Sequence, residues 1–440
     1  MAERKKWVDR NCAEFLVLWL GKVIWNEEAY MKKGIILVLI ITFSLLSVIG
    51  AQTPFEQRYN QMTWDQIVAE AKGQTVYYYA WGGSDTINGF INGYFKDYLA
   101  KKYGINLKLV PVTDATTYVN KVLGEKQAGK KTNGSVDLVW TNGENFRTMK
   151  QGDLLFGPYA EKLPNIKYYN KSSTSYDFGF PIEGYESPFG AAQVVIEYNS
   201  KYVLNPPKNI AELISLAKKN PGKVTYPAPP DFTGSVAVRH FFYANANNID
   251  ELMGPFNQAV YDRVASKTWA MLNDVEPYLW MGGKTYPESS IKARELLANG
   301  DIWINFEYGP KGAESRIIQG SYPATIKTAV FETGTIGNTN YLAIPFNSSS
   351  KAASMVVCNA MLAPELQYQA ALSPKEGGMS WMTPMDLTLV SKDWADKFNA
   401  LPRHPSTLSG EVLNSHKIPE MMADWLIKIE KDWQANVLKK

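Results

Sequence analysis

The stretch Pro188-Phe-Gly-Ala-Ala-Gln-Val-Val-Ile-Glu-Tyr-Asn199 decides how the rest of the chain is read. Val194, Val195 and Ile196 are consecutive β-branched residues. Gly190, Ala191 and Ala192 precede them, and Tyr198-Asn199 closes the run. A short apolar run bounded by turn residues fits a strand buried on both faces. Strand and helix patterns alternate before it. After it, Asn205-Pro-Pro-Lys-Asn-Ile-Ala-Glu-Leu213 opens a second series of the same kind. The stretch is therefore expected to leave one α/β lobe and enter another, the alternative being a core strand of one large domain.

In chain order, Phe55 to Lys72 reads as a leading helix, with a capping box at Thr63-Trp-Asp-Gln66. Thr75–Trp81 is rich in β-formers and is the first expected strand. Ile87, Phe90, Ile91, Tyr94, Phe95, Tyr98 and Leu99 recur at helical spacing after it. Ser84 or Asp85 can cap that helix and Gly104 can stop it. Ile105–Val112 and Ser135–Trp140 are further strands, with a helix capped by Asp114 between them. Beyond the deciding stretch come helices over Ile210–Lys219, Val236–Tyr243, Phe256–Leu272 and Ser289–Ala298. Strands are expected over Asp301–Phe306, Thr328–Phe331 and Tyr341–Phe346, the last being the candidate return crossover. The chain ends in a helix whose Met422, Leu426, Ile429, Trp433 and Val437 share one stripe, a core-packing pattern. Strand, turn and helix repeated at this length imply mostly parallel sheets flanked by helices.

The 440 residues allow two or three domains, and 45% hydrophobic with 20% charged residues is an ordinary soluble profile. Met31-Lys-Lys-Gly34, the apolar run Ile35–Ile49 and Gly50-Ala-Gln52 have the form of a secretory signal peptide, with cleavage expected after Ala51. The apolar core is short for a membrane span, although an uncleaved anchor is the alternative. Translation is expected to start at Met31, with residues 1–30 a mis-called start. Lys and Arg number 46 against 43 Asp and Glu, and the balance stays near neutral without the leader, so nucleic acid is not an expected partner. Of the two cysteines, Cys12 would leave with the leader and Cys358 would be alone, which permits no disulfide in the mature chain. No cysteine stands at the cleavage site for a lipid anchor, so a periplasmic protein is expected.

His240, His404 and His416 lack partners at metal-ligand spacing, and neither a Gly-x-Ser-x-Gly motif nor a P-loop is present. No metal or other cofactor is expected. Ligands of open α/β sheets sit beyond the carboxyl ends of the strands. That rule selects Trp81-Gly82-Gly83-Ser84-Asp85, Trp140-Thr141-Asn142 with Glu144, Thr233-Gly234-Ser235, and Glu307-Tyr308. Aromatic faces beside carboxylates suit a cationic or ring-bearing solute. A neutral sugar is the main competitor. Thr233-Gly234-Ser235, at a helix start, can hold a phosphate tail or be a plain helix cap.

The segments Tyr79-Ala-Trp-Gly-Gly83, Asp137-Leu-Val-Trp-Thr-Asn-Gly-Glu-Asn-Phe146 and the Gly190–Asn199 strand occur in that order. With Pro207-Lys-Asn-Ile-Ala-Glu-Leu213 and Pro221-Gly-Lys-Val224, the chain resembles a type II periplasmic solute-binding protein over residues 74–346. Within that family it is similar to the thiamine, polyamine and iron importer branch, and closest to an uncharacterised subgroup. The tyrosine-and-histidine ligand set of the ferric binders is not recognisable. The resemblance implies an α/β fold of two lobes, each a mostly parallel sheet flanked by helices, joined by a two-strand hinge at Val194–Asn199 and Tyr341–Phe346. It implies a first lobe of residues 52–195 plus 346–440 and a second of 196–345. The expected function is capture of a small solute, thiamine-like or an amine, as the non-enzymatic binding component of an ABC transporter. The expected partners are a membrane permease and, through it, a cytoplasmic ATPase, with the binding protein a monomer. The rival expectation is a secreted two-lobe enzyme using Asp85, Glu144 or Glu307 as acid and base.

Overall fold

The structure, a computed structural model, describes residues 54–438. The expected leader and the segment ahead of it lie outside these residues. The leading helix expected over Phe55–Lys72 is two helices, Pro54–Gln61 and α1 (Trp64–Ala71). Thr63 is extended and caps α1: Gln66 N–H donates to Thr63 Oγ1 and Thr63 N–H donates to Gln66 Oε1. The residue that starts the second helix thereby ends the first.

β1 (Thr75–Trp81) pairs in parallel with β2 (Asn106–Val112) and β3 (Leu138–Thr141). The connection between β1 and β2 contains α2 (Asp85–Phe90), a single π-helical turn at Ile91–Phe95, and α3 (Lys96–Tyr103). Ser84 caps α2, and Gly104 ends α3 in the left-handed conformation. α4 (Thr116–Gln127) leads to β3, and α5 (Gly143–Gln151) to β4 (Leu155–Phe156). At the entrance to β3 the buried Asp137 accepts from Tyr77 N–H, from the Ser348 and Ser349 hydroxyls, and from the Ser349 and Ser350 N–H groups. One carboxylate thus ties β1 to the start of the buried helix Lys351–Met361.

The deciding stretch divides at Val194. β5 (Glu186–Gln193) belongs to the first sheet and β6 (Val195–Asn199) to a second. Gly190 is required by a close approach: a Cβ there would lie 2.1 Å from Cζ2 of Trp381. The second region comprises α6 (Ile210–Lys219), α7 (Phe232–Asn245), α8 (Gln258–Val275), α9 (Ser290–Asn299), β7 (Ile304–Glu307), α10 (Gly312–Ile318) and β8 (Ile326–Ala329). β9 (Thr335–Pro345) returns to the first sheet, whose order is β10-β9-β3-β1-β2, with β4 and β5 also paired to β9 and with β10 the bridge strand Lys417–Ile418.

Three expectations are corrected here. The return crossing is at residues 330–334, between β8 and β9. Tyr341–Phe346 lies deeper in the first sheet, where Tyr341–Ala343 pairs with both β3 and β5. The parallel pattern holds for β1–β3, whereas β6 pairs antiparallel with both β7 and β8. The reason is that β6 runs in from the other sheet, against the direction of its neighbours. The C-terminal helix α12 (Ala423–Trp433) does not pack with the first sheet. Trp425, Ile429 and Trp433 are buried in the second core, with Tyr226, Phe241 and Tyr261. Trp433 Nε1–H donates to Tyr226 Oη at 3.1 Å and Trp425 Nε1–H to Gly254 O at 3.0 Å. The chain therefore crosses a third time, at residues 419–422. The stripe seen in the sequence is core, but of the other lobe.

This packing makes the C-terminal helix part of the second lobe's stability. Trp433→Ala is expected to cost roughly 3–5 kcal/mol, the usual range for a buried aromatic truncation, measured by urea unfolding. An effect within experimental error would contradict the placement.

Candidate functional site

The seam between the two sheets gathers most of the loop residues selected from the sequence, in three groups. In the first, Trp81 ends β1, and the guanidinium of Arg294, from α9, lies 5.8 Å from its ring. Arg294 Nη2–H donates to Gly83 O, and Gln319 to Thr86 Oγ1, so the lobes touch directly here. Gly82 N–H is bonded to Val112 O, and Ser84 caps α2. Asp85 is exposed on the first turn of α2. Glu307 is occupied: Arg316 lies 3.2 Å and Arg294 3.7 Å from its Oε2. Arg316 also holds the buried Glu197 at 2.7 Å, and Tyr322 donates to that carboxylate. Glu307 therefore belongs to an ion network inside the second lobe.

In the second group, Trp140 packs edge-on against Phe189 and Trp381, with ring centres 5.3 and 5.7 Å away. Its Nε1–H donates to Asn142 Oδ1, and Asn142 donates to Thr339 O. Thr141 is buried beside them.

The third group is where the chemistry concentrates. Thr233 and Gly234 do not form an anion cradle. Their N–H groups donate to Asp231 Oδ1 at 2.9 and 3.0 Å, so the helix-cap alternative is the one adopted. Gly234 is there because a Cβ would meet Pro227 O at 2.1 Å. Next along α7, Ser235 Oγ–H donates to Glu430 of α12, and one turn further on Arg239 is wholly buried. Arg239 Nη2 donates to Tyr308 Oη at 2.9 Å and to Glu420 at 3.3 Å, and Tyr308 Oη–H donates to the same carboxylate. Asn338 Nδ2 reaches Glu420 at 3.5 Å. The Arg239 guanidinium lies 5.9 Å from the Phe178 ring, and Phe232 stands between Phe178 and Tyr308, 6.0 and 4.9 Å from them. Phe232 is 43% exposed, which leaves its ring available in the seam.

Glu144, on the first turn of α5, approaches this cluster from the first lobe. Burial raises its carboxyl pKa and the nearby Arg239 charge opposes the rise. Burial, then the charge of Glu144, pushes Glu430 up to about 7. Burial raises Glu420 also, against the pull of Arg239. Buried and without a hydrogen-bond partner among the described residues are Arg239 Nε and Nη1, Glu144 Oε2 and Asn338 Oδ1. Buried polar groups are normally satisfied, so each of these atoms can take a further partner; other such atoms lie away from the seam, among them Tyr78 Oη, both Glu186 oxygens and Arg316 Nε.

Sequence reasoning selected Glu144, Ser235 and Tyr308 but not Arg239, Glu420, Glu430, Phe178 or Phe232. Arg239 had a weak signal. It stands in Val236-Ala-Val-Arg-His-Phe-Phe242, a charge within an otherwise apolar helical turn. The adjacent His240 is structural: Nδ1–H donates to Val236 O and Nε2 accepts from Ile336 N–H, which ties α7 to the start of β9. Burial lowers its pKa to about 4. Among the described residues, no group of histidine, cysteine and carboxylate is arranged to hold a metal.

Two sheets with separate cores, joined by three chain crossings, make a two-lobe α/β architecture of the kind that holds small molecules between its lobes. The comparisons with known proteins then supply the family. The family model for bacterial extracellular solute-binding proteins matches residues 93–395. The protein YnjB of Escherichia coli is 34% identical over 387 residues, 88% of this chain and 97% of that protein. The chain belongs to the bacterial extracellular solute-binding protein family. Among solved structures, the spermidine/putrescine ABC transporter substrate-binding protein PotD of Streptococcus pneumoniae aligns with a TM-score of 0.58 at 14% identity, over 82% of this chain and 98% of that one. A periplasmic thiamin-binding protein aligns at 0.55 and 14%, over 82% and 96%. AfuA of Actinobacillus pleuropneumoniae, solved with fructose-6-phosphate, aligns at 0.57 and 13%, over 83% and 99%. At these identities the likeness is one of fold. The chain is thus a bacterial extracellular solute-binding protein rather than an enzyme. This sets aside the expectation of acid–base catalysis by Asp85, Glu144 or Glu307.

A folded-state pKa near 7 against an ordinary 4.5 means that folded Glu430 keeps a proton the unfolded chain has released. Its contribution to stability is therefore complete below about pH 4.5 and is lost as pH rises through about 7. Glu430→Gln should remove that loss, so its melting temperature relative to the parent should rise between pH 5 and pH 8. His240 acts with the opposite sign between about pH 4 and 6.5, but it is common to both proteins and cancels in the comparison. A difference that stays constant with pH would refute the assignment.

Proposed function

We propose that the solute is a cationic amine, aromatic or aliphatic, enclosed between Glu144 of the first lobe and Glu430 of the second. The observation that carries this reading is that α5 and α12 meet, through the Arg147–Asp424 ion pair, with the half-buried Glu144 and Glu430 near enough for the charge of one to raise the pKa of the other, beside Phe178, Phe232 and Tyr308. Closing the lobes brings like charges together in a poorly hydrated space. A bound ammonium group removes that repulsion, so it binds the closed form more tightly and shifts the population toward it. The aromatic faces add cation–π attraction. Relatives of this fold named for spermidine/putrescine and thiamin lend support, although they share only the fold. Of the residues selected from the sequence, Glu144, Ser235 and Tyr308 line the solute. Trp81, Gly82, Gly83 and Ser84 form the rim that meets Arg294, and Trp140, Thr141 and Asn142 back the first lobe. Glu307 shapes the site through its arginines. Thr233, Gly234 and Asp85 act at helix starts.

In this reading the moving joint is Val194, residues 330–334 and residues 419–422. The second lobe is residues 195–330 with the C-terminal helix. The protein works as a monomer, is exported by a cleaved leader, and hands its solute to a permease driven by a cytoplasmic ATPase.

Calorimetry with thiamine, putrescine and spermidine as probes tests the solute class. At least one is expected to bind, and the double variant Glu144→Gln/Glu430→Gln to weaken it more than about tenfold, ~1.4 kcal/mol. Small-angle scattering should show a smaller radius of gyration when that probe is bound. Unchanged affinity in the double variant, or no affinity for any cation, would reject the reading.

A further inference from the structure

We propose that the solute is amphoteric: an ammonium group held by Glu144 and Glu430, and a carboxylate or phosphate on the same molecule held by Arg239. The inference rests on the cationic reading above and adds a second chemical group to it. Arg239 is the residue that the cationic reading leaves unexplained. Its side chain has no solvent exposure, yet only Nη2 is engaged, by Tyr308 and Glu420. Nε and Nη1 carry three further N–H donors and have no partner among the described residues. Leaving buried donors unmade is costly, more so on a charged group. Arg316 in the second lobe is also engaged through Nη2 alone and leaves its Nε unmade, but Arg239 leaves two nitrogens unmade and has no second carboxylate on Nη2 beyond Glu420.

Ser235, which donates to Glu430, stands one turn before Arg239 on α7. Arg239 is close enough for its charge to act on both Glu144 and Glu430, and Glu144 Oε2 is itself buried and unpartnered. A ligand with a positive group alone would satisfy the carboxylates and leave the guanidinium donors unmade. One with a negative group alone would do the reverse and meet two carboxylates. An oxyanion suits Arg239 better than a neutral carbonyl, because it accepts several bonds and each is charge-assisted. The helix start at Thr233-Gly234 cannot take this group instead, since Asp231 already occupies its N–H donors. Phe178, under the guanidinium, and Phe232 then flank the chain that joins the two charges.

The test is calorimetry on the intact protein with four ligand series of matched chain length: diamines, ω-amino acids with amine phosphates, ω-amino amides, and dicarboxylates. A member of the second series is expected to bind at least about tenfold tighter than its diamine, amide and dicarboxylate counterparts. Arg239→Lys is expected to erase that preference, and Glu144→Gln to weaken the diamine and the zwitterion alike. The comparison on the unmodified protein stands even if Arg239→Lys does not fold. Diamines or amides binding as tightly as zwitterions would sink this inference and leave the cationic reading intact. Binding of dicarboxylates alone would sink both, and absence of binding by any zwitterion would overturn the inference.

Discussion

A buried guanidinium must be paired, and much of the architecture around the seam follows from that requirement at Arg239. Taking the charge out of water is expensive, and the cost is recovered only with a close counter-charge and good hydrogen bonds. Glu420 is that counter-charge, and it arrives on the third crossing, from near the C-terminus. Tyr308 closes the triangle from the end of β7, and Asn338 approaches from β9. Four separate segments are held in register by one charge. The placement of α12 on the second lobe is the packing counterpart of that pairing, with Trp425 and Trp433 filling the core behind it.

The molecule contains two buried arginine networks. Arg316 joins Glu197 and Glu307, Arg294 also approaches Glu307, and Tyr322 donates to Glu197, all within the second lobe. Arg239 lies in an open network, with donors left over on one side and acceptors left over on Glu144 and Asn338. Half-satisfied polar clusters are unfavourable in an isolated core. In the proposed reading, the solute completes this one.

At Val194 the chain leaves one sheet for the other, and Val194 N–H donates to Ile336 O on the returning strand. His240 donates to its own helix and accepts from Ile336, so α7, which carries Arg239, is fastened to the crossing itself.

Much of the local structure was legible in the residues because its causes lie within a turn or two. Thr63 with Gln66, Ser84, Asp114 and Gly104 set helix ends through bonds to neighbouring N–H and C=O groups. The β-branched run at 194–196 marked the change of sheet, and strand ends located Trp81, Glu144 and Tyr308 at the seam. What the tertiary structure alone decided is which distant residues answer one another. Glu420 lies 181 positions from Arg239, and Glu430 lies 195 from Ser235. No periodicity or spacing connects them. The direction of β6 among its neighbours, the true return crossing and the lobe taken by the last helix were likewise set by packing. The counter-charge of a buried group is chosen by whichever segment the fold brings beside it, and that choice is not written in the residues next to it along the chain.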